Sequence, residues 1–117
     1  LLGVKNDPIF GPAVMVGVGG VFVEIFKDVA LRLAPLDKAA VEEMIGELRG
    51  KKMLYGARGA APSDMEALTD AILKVGQIAV DHAGCLAEMD INPLIVLEKG
   101  VKAVDALVVP KRAAYNK

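Results

Sequence analysis

Asp90, Asn92 and Asp105 are the residues whose types and spacing most suggest chemistry. They lie in Glu88-Met89-Asp90-Ile91-Asn92-Pro93-Leu94-Ile95-Val96 and in Gly100-Val101-Lys102-Ala103-Val104-Asp105-Ala106. Both runs read as strands around Lys99-Gly100. Oxygen-bearing side chains gathered on one sheet face suit a hard cation such as Mg²⁺, which usually arrives with phosphates. With Lys99-Gly100 as a two-residue turn, Glu98 faces Val101 and Leu94 faces Asp105. Side chains alternate along a strand, so Asn92 and Asp105 become diagonal neighbours on one face. Asp90 joins that face if Pro93 leaves the alternation intact. Ile91, Ile95 and Val104 then point the other way, into the core. A bland reading stands beside this one: two solvent-facing strand acids and a strand-edge bend at Asn92-Pro93. A one-residue change of turn would separate the group.

Other residues carry weaker signals. Gly17-Val18-Gly19-Gly20 could cradle a phosphate through backbone amides. It lacks the following helix of a phosphate-binding loop, and a tight hairpin is the simpler reading. Arg58, flanked by Gly56 and Gly59, could grip a phosphate bidentately or serve as an exposed loop cation. His82 falls near a helix C-terminus, where a dipole contact accounts for it. Cys85 reads as a small buried hydrophobe. Glu24 reads as a solvated strand acid, and Glu42, Glu43 and Glu47 as a solvated helix face.

The elements that must position these residues follow from pattern. Leu1–Lys5, Ala13–Val18, Val21–Phe26 and Val29–Leu33 read as strands of an antiparallel meander. Asn6 to Pro12 reads as a loop. Asp37 can cap a helix over residues 38–48, with Val41, Met44, Ile45 and Leu48 on its buried side and Gly50 just past its end. Lys51 to Ala61 reads as a loop, with a short extended piece at Met53-Leu54. Ser63 followed by Glu66 fits a capping box. The helix it opens runs to about Asp81 and buries Met65, Leu68, Ile72, Val75, Ile78 and Ala79. Leu86–Leu97 and Val101–Val109 are the last strands, and residues 110–117 a frayed tail. The fold class is α+β, a mainly antiparallel sheet with two principal helices on one face.

Composition sets outer bounds. The 117 residues suffice for one domain or part of one. Formal net charge is −1, which supplies no field for nucleic acid or an anionic membrane. Residues are 54% hydrophobic but only 4% aromatic, so the core must be aliphatic. The single Cys rules out an intramolecular disulfide and is compatible with a cytoplasmic setting. No apolar run is long enough for a membrane helix. The chain opens in Leu1-Leu2-Gly3-Val4, a strand already under way, and is expected to be a fragment of a longer protein.

Taken together, several segments resemble the ATP-grasp domain of NDP-forming acyl-CoA synthetases. These are of the ADP-forming acetate–CoA ligase type, relatives of succinyl-CoA synthetase. The segments are Val4 with Asp7-Pro8-Ile9-Phe10-Gly11-Pro12 through Glu24, and Lys27-Asp28-Val29 through Leu36. They continue with Leu54-Tyr55-Gly56-Ala57-Arg58-Gly59, Asp64 with Ala67-Leu68, Asp90-Ile91-Asn92-Pro93-Leu94, and Val104-Asp105-Ala106. The resemblance covers residues 1–109 and implies the C-terminal ATP-grasp subdomain. It implies Mg²⁺ and ATP or ADP as cofactors, with Asn92 and Asp105 as metal ligands and Arg58 and Asp90 near the nucleotide or phosphate. It implies an enzyme that joins a carboxylic acid to CoA through an acyl phosphate and a phosphohistidine. The phosphohistidine, the CoA-binding and ligase domains and the other half of the nucleotide clamp would lie outside this chain, so the chain alone should not turn over. Residues 82–86 depart from the family's usual approach to the last hairpin. A non-catalytic synthetase-like region of a protein lysine acetyltransferase is the alternative.

Overall fold

A computed structural model describes residues 1–18, 28–51 and 63–111. The expected strand at Val21–Phe26, the extended piece at Met53-Leu54, Glu24, Arg58 and the tail from Arg112 lie outside the described residues.

The first strand, β1 (Leu2–Asp7), and β2 (Gly11–Gly17) form an antiparallel hairpin in which Val4 faces Val14. The loop between them is shorter than the sequence suggests. The β1 strand runs on through Asn6 and Asp7, and the Asp7 carboxylate accepts from the amides of Ile9 and Phe10 at 2.7 and 2.8 Å. That Asx-type turn does the reversing. Gly11 follows at φ +87°, a left-handed value suited to glycine. Strand β3 (Val29–Leu33) completes the meander against β2. Helix α1 (Lys38–Glu47) starts where expected, with the Ala40 amide 2.7 Å from an Asp37 carboxylate oxygen. Val41, Met44, Ile45 and Leu48 are buried, as their spacing predicts.

Gly50 serves close approach instead of a left-handed cap. A Cβ there would sit 2.6 Å from Val18 Cγ1 and 3.1 Å from Asp28 Oδ2. The Asp28 carboxylate accepts from the amides of Arg49 and Gly50 at 2.6 and 2.8 Å, tying the end of α1 to the sheet. Arg32, on β3, pairs with both Glu43 and Glu47. Two of the three expected solvated acids are thus ion-paired.

Helix α2 (Met65–Asp81) is capped by Asp64, not Ser63. Ala67 N donates to Asp64 Oδ1 at 3.0 Å, and Glu66, one residue too early to close a capping box, sits in the first turn. The buried face is Leu68, Thr69, Ile72, Val75, Gly76 and Ala79, whereas Ile78 turns out to solvent at 39% exposure. His82 is the C-terminal cap residue and exposed. Cys85, expected inside, is exposed in the turn after α2, its Sγ 3.6 Å from the His82 carbonyl.

The last segment is one long hairpin with a break. It comprises β4 (Leu86–Ile91), β5 (Leu94–Val96), β6 (Val101–Ala103) and β7 (Ala106–Pro110). Strand β4 pairs with β1, so the main sheet runs β3-β2-β1-β4-β7, and β5-β6 is a separate two-stranded ribbon. Both helices pack on one face, over β1, β2 and β3, as expected. Leu2, Val4, Val14, Val16 and Ala30 meet Val41, Met44, Leu48, Leu68 and Ile72 there in an aliphatic core.

Candidate nucleotide and metal face

The face opposite the helices carries the candidate site. One row of residues crosses all five strands: Leu31, Met15, Gly3, Asp90 and Leu107 are successive cross-strand partners. Asp90 is the only acid in it. Gly3 beside it has no side chain, and a Cβ there would lie 3.8 Å from Asp90 Oδ1. That oxygen is buried and has no hydrogen-bond partner among the described residues. A buried carboxylate oxygen is costly to leave unpaired. Its position in an otherwise apolar row, on a face that none of the described helices covers, marks a place where a polar group could complete it.

Asn92 and Asp105 meet more directly than the spacing suggests. The turn is centred on Glu98-Lys99, and Leu97 N donates to Gly100 O at 3.0 Å. Gly100 follows at φ +82°. The ladder therefore pairs Leu94 with Ala103 and Val96 with Val101, two residues away from the register that a Lys99-Gly100 turn would set. In this register Asn92 faces Asp105, with Asn92 N donating to Asp105 O at 3.1 Å. The two are direct cross-strand partners rather than diagonal ones. The same register continues through Ile91–Ala106 and Asp90–Leu107.

The alternation does break at Asn92-Pro93. Before it, Ile91 packs towards the core; after it, Leu94 and Val96 do, and Ile95 is exposed. The phase shift corrects two expectations. Leu94 and Val96, which unbroken alternation would put on the face of Asn92, turn to the core side, and Ile95 and Val104 do not fill the core, being 42% and 55% exposed. Leu94, Val96 and Pro93 instead help line an apolar cavity of about 240 Å³ with Leu2, Val16 and Ile72, on the helix side of the sheet.

The donor set is all oxygen. Among the described residues no three His, Cys, Asp or Glu side chains converge as a cage for a metal. A pair such as Asn92 and Asp105 fits a cation that takes few protein ligands and fills its shell with phosphate and water, which is the habit of Mg²⁺. Asp105 Oδ1 accepts from Ala106 N at 2.9 Å. Asp64 was legible only as a helix-start residue, yet it reaches this hairpin. Its amide donates to Leu97 O, and its Oδ2 accepts from Gly100 N, both at 2.7 Å.

An antiparallel sheet with two helices on one face and oxygen donors along the bare side has the form of the C-terminal ATP-grasp subdomain. The chain belongs to the ATP-grasp domain family, whose model matches residues 1–109. Among curated relatives, the beta subunit of ADP-forming acetate–CoA ligase I from Pyrococcus furiosus is 48% identical over 109 residues, covering 93% of this chain and 47% of that one. The ADP-forming acetate–CoA ligase I of Archaeoglobus fulgidus is 44% identical over 105 residues, 90% of this chain and 15% of that one. A solved acetyl-coenzyme A synthetase from Ca. Korarchaeum cryptofilum, in complex with coenzyme A and Mg-AMPPCP, superposes with a TM-score of 0.89. It is 48% identical and covers 94% of this chain and 51% of that one. The chain thus spans about half, or much less, of the length of these relatives.

Proposed function

We propose that this chain is the Mg-nucleotide-binding half of the ATP-grasp clamp of an ADP-forming acid–CoA ligase. Such an enzyme makes acyl-CoA, ADP and phosphate from an acid, CoA and ATP, through an acyl phosphate and a phosphohistidine. The reading rests on one observation above others: Asn92 and Asp105 are direct backbone partners two residues along β4 and β7 from Asp90 and Leu107, and Asp90 Oδ1 has no partner among the described residues. Bound Mg²⁺ would neutralise and orient the phosphates for in-line transfer. Within this chain, Asn92 and Asp105 offer oxygens to the cation. Asp90 offers its free oxygen to a donor beside the phosphates. The apolar row of Leu31, Met15 and Leu107, with Leu31 and Leu107 exposed here, would exclude water once the other half of the clamp covers it. Arg58, outside the described residues, is assigned to phosphate on its glycine-flanked sequence and the family resemblance.

Residues 1–109 form the subdomain in this reading; Pro110 and Lys111, expected in the tail, extend it instead, Pro110 ending β7 opposite Leu86 and Lys111 N donating to Cys85 O at 2.8 Å. Its partners are the CoA-binding and ligase domains, in the same polypeptide or in a second subunit, and its setting is the cytoplasm. Among the described residues no helix is long and apolar enough to cross a membrane. The relatives are ligases, which favours the enzyme over the regulatory alternative. In the full-length protein, Asn92→Ala and Asp105→Ala should each reduce Mg-dependent ATP turnover by orders of magnitude. Wild-type turnover in both would remove the assignment.

A further inference from the structure

We propose that Asp64 is a positioning residue that locks the register of the β5–β6 hairpin and so keeps Asn92 opposite Asp105. The inference rests on the metal-pair reading above. In a closed four-residue turn, the amide of the fourth residue donates to the carbonyl of the first. Here those two groups, Gly100 N and Leu97 O, are both turned onto Asp64. Asp64 N donates to Leu97 O and Asp64 Oδ2 accepts from Gly100 N, each at 2.7 Å. One residue from outside the hairpin thus replaces its closing hydrogen bond with a two-bond relay. The second carboxylate oxygen accepts from Ala67 N at 3.0 Å, so the relay is anchored on the first turn of α2. That helix is fixed in turn by Leu68 and Ile72 in the core.

The relay selects between two registers. Lys99-Gly100 is itself a good two-residue turn, and a hairpin folding on local preference alone could use it. In that register Asp105 would face Leu94 and Asn92 would face Leu107, and the pair would become diagonal neighbours, about 7–8 Å apart instead of about 5 Å. Asp64 fits only the register in which Leu97 and Gly100 flank the turn together. The carboxylate is ionised well into acid, because its bonds to the Gly100 and Ala67 amides hold it below the usual carboxylate range. It therefore accepts at both oxygens under working conditions.

One substitution separates the clamp from the helix cap. Asn caps a helix about as well as Asp, so Asp64→Asn keeps the bond from Ala67 N. Its NH₂ then confronts the Gly100 amide, donor against donor, and the hairpin link is lost. Asp64→Ser also caps but is too short to serve Gly100 as well.

The test uses the full-length protein with ADP present. Mn²⁺ replaces Mg²⁺ as the probe, its binding followed by EPR titration, and amide exchange is measured over residues 97–105. Asp64→Asn and Asp64→Ser should weaken Mn²⁺ binding by about tenfold or more, the scale of losing a residue that orients a metal ligand. Exchange over 97–105 should accelerate in both. Asn92→Ala and Asp105→Ala should weaken Mn²⁺ further. If those two weaken binding while both Asp64 variants bind Mn²⁺ as wild type does, the register lock is overturned and the metal pair stands. If all four bind as wild type does, the metal pair itself falls, and the lock's role in it with it.

Discussion

Ile72 and Ile78 lie on the same helix, six residues apart, and the sequence assigns both to the buried stripe. The structure separates them: Ile72 is fully buried between sheet and α1, and Ile78 is 39% exposed. Ile72→Ala removes three carbons from the core. At about 0.8 kcal/mol per buried methylene, their transfer to water costs about 2.5 kcal/mol. Ile72 already borders the apolar cavity of about 240 Å³, so its removal enlarges a space the neighbours have not closed. The cavity contribution then brings the loss to about 3–4 kcal/mol, inside the range for such truncations. Ile78→Ala forfeits only part of a side chain's burial and gains helix propensity, and should cost less than about 1 kcal/mol. Urea unfolding followed by far-UV circular dichroism, with a shared m-value, measures both. Equal losses at the two positions would refute the packing of α2 described above. A loss below about 1 kcal/mol at Ile72 would refute the cavity argument.

Two further outcomes follow from close contacts and charges. Gly50→Ala drives a methyl into Val18 Cγ1 and against the Asp28 carboxylate, and should destabilise by about 1–3 kcal/mol, read as a lower urea midpoint. Asp64, Asp7 and Glu47 all have carboxyls held below their ordinary range. The bonds responsible come to Asp64 from Gly100 and Ala67, to Asp7 from Phe10 and Ile9, and to Glu47 from Arg32. Folded values below unfolded ones mean that these groups stabilise above the ordinary carboxylate range and lose that contribution as pH falls through their depressed values. The urea midpoint should stay level down to about pH 5 and decline below about pH 4, less steeply in Asp64→Asn. A midpoint that rises on acidification would contradict the sign.

What the sequence made legible was local. Helix α1, with Asp37 at its start and Val41, Met44 and Ile45 on one side, stands as its spacing predicts, because capping and periodicity act over a turn or two. The β1-β2 hairpin is equally local, whereas β2 pairs on its other side with Val29–Leu33, the fourth strand of the expected meander and not the third. What it hid were contacts from far along the chain. The hairpin register departs from local turn preference because Asp64, 36 residues from Gly100, supplies the closing bonds. Asp64 in turn displaces Ser63 as the cap because it serves helix and hairpin together. The phase change at Asn92-Pro93 leaves no mark in hydrophobic alternation, since Leu94, Ile95 and Val96 are all apolar. Asn92 and Asp105 were legible as neighbours, but as diagonal ones where the register makes them direct partners.

The central place of β1 has a kinetic consequence. Its pairing with β2 closes a tight turn, but its pairing with β4 joins segments as distant as Asn6 and Leu86, 80 residues apart. Closing that longer loop costs about 2–3 kcal/mol more in chain entropy, at roughly 0.6 kcal/mol per doubling of length. The meander can therefore assemble early, while the inner edge of β1 waits. During synthesis, that edge stays an open template until the last hairpin has emerged, available to any stray strand. The segment that brings Asn92 opposite Asp105 is also the one that seals the sheet, so that pairing is finished only when the most vulnerable stage of folding ends.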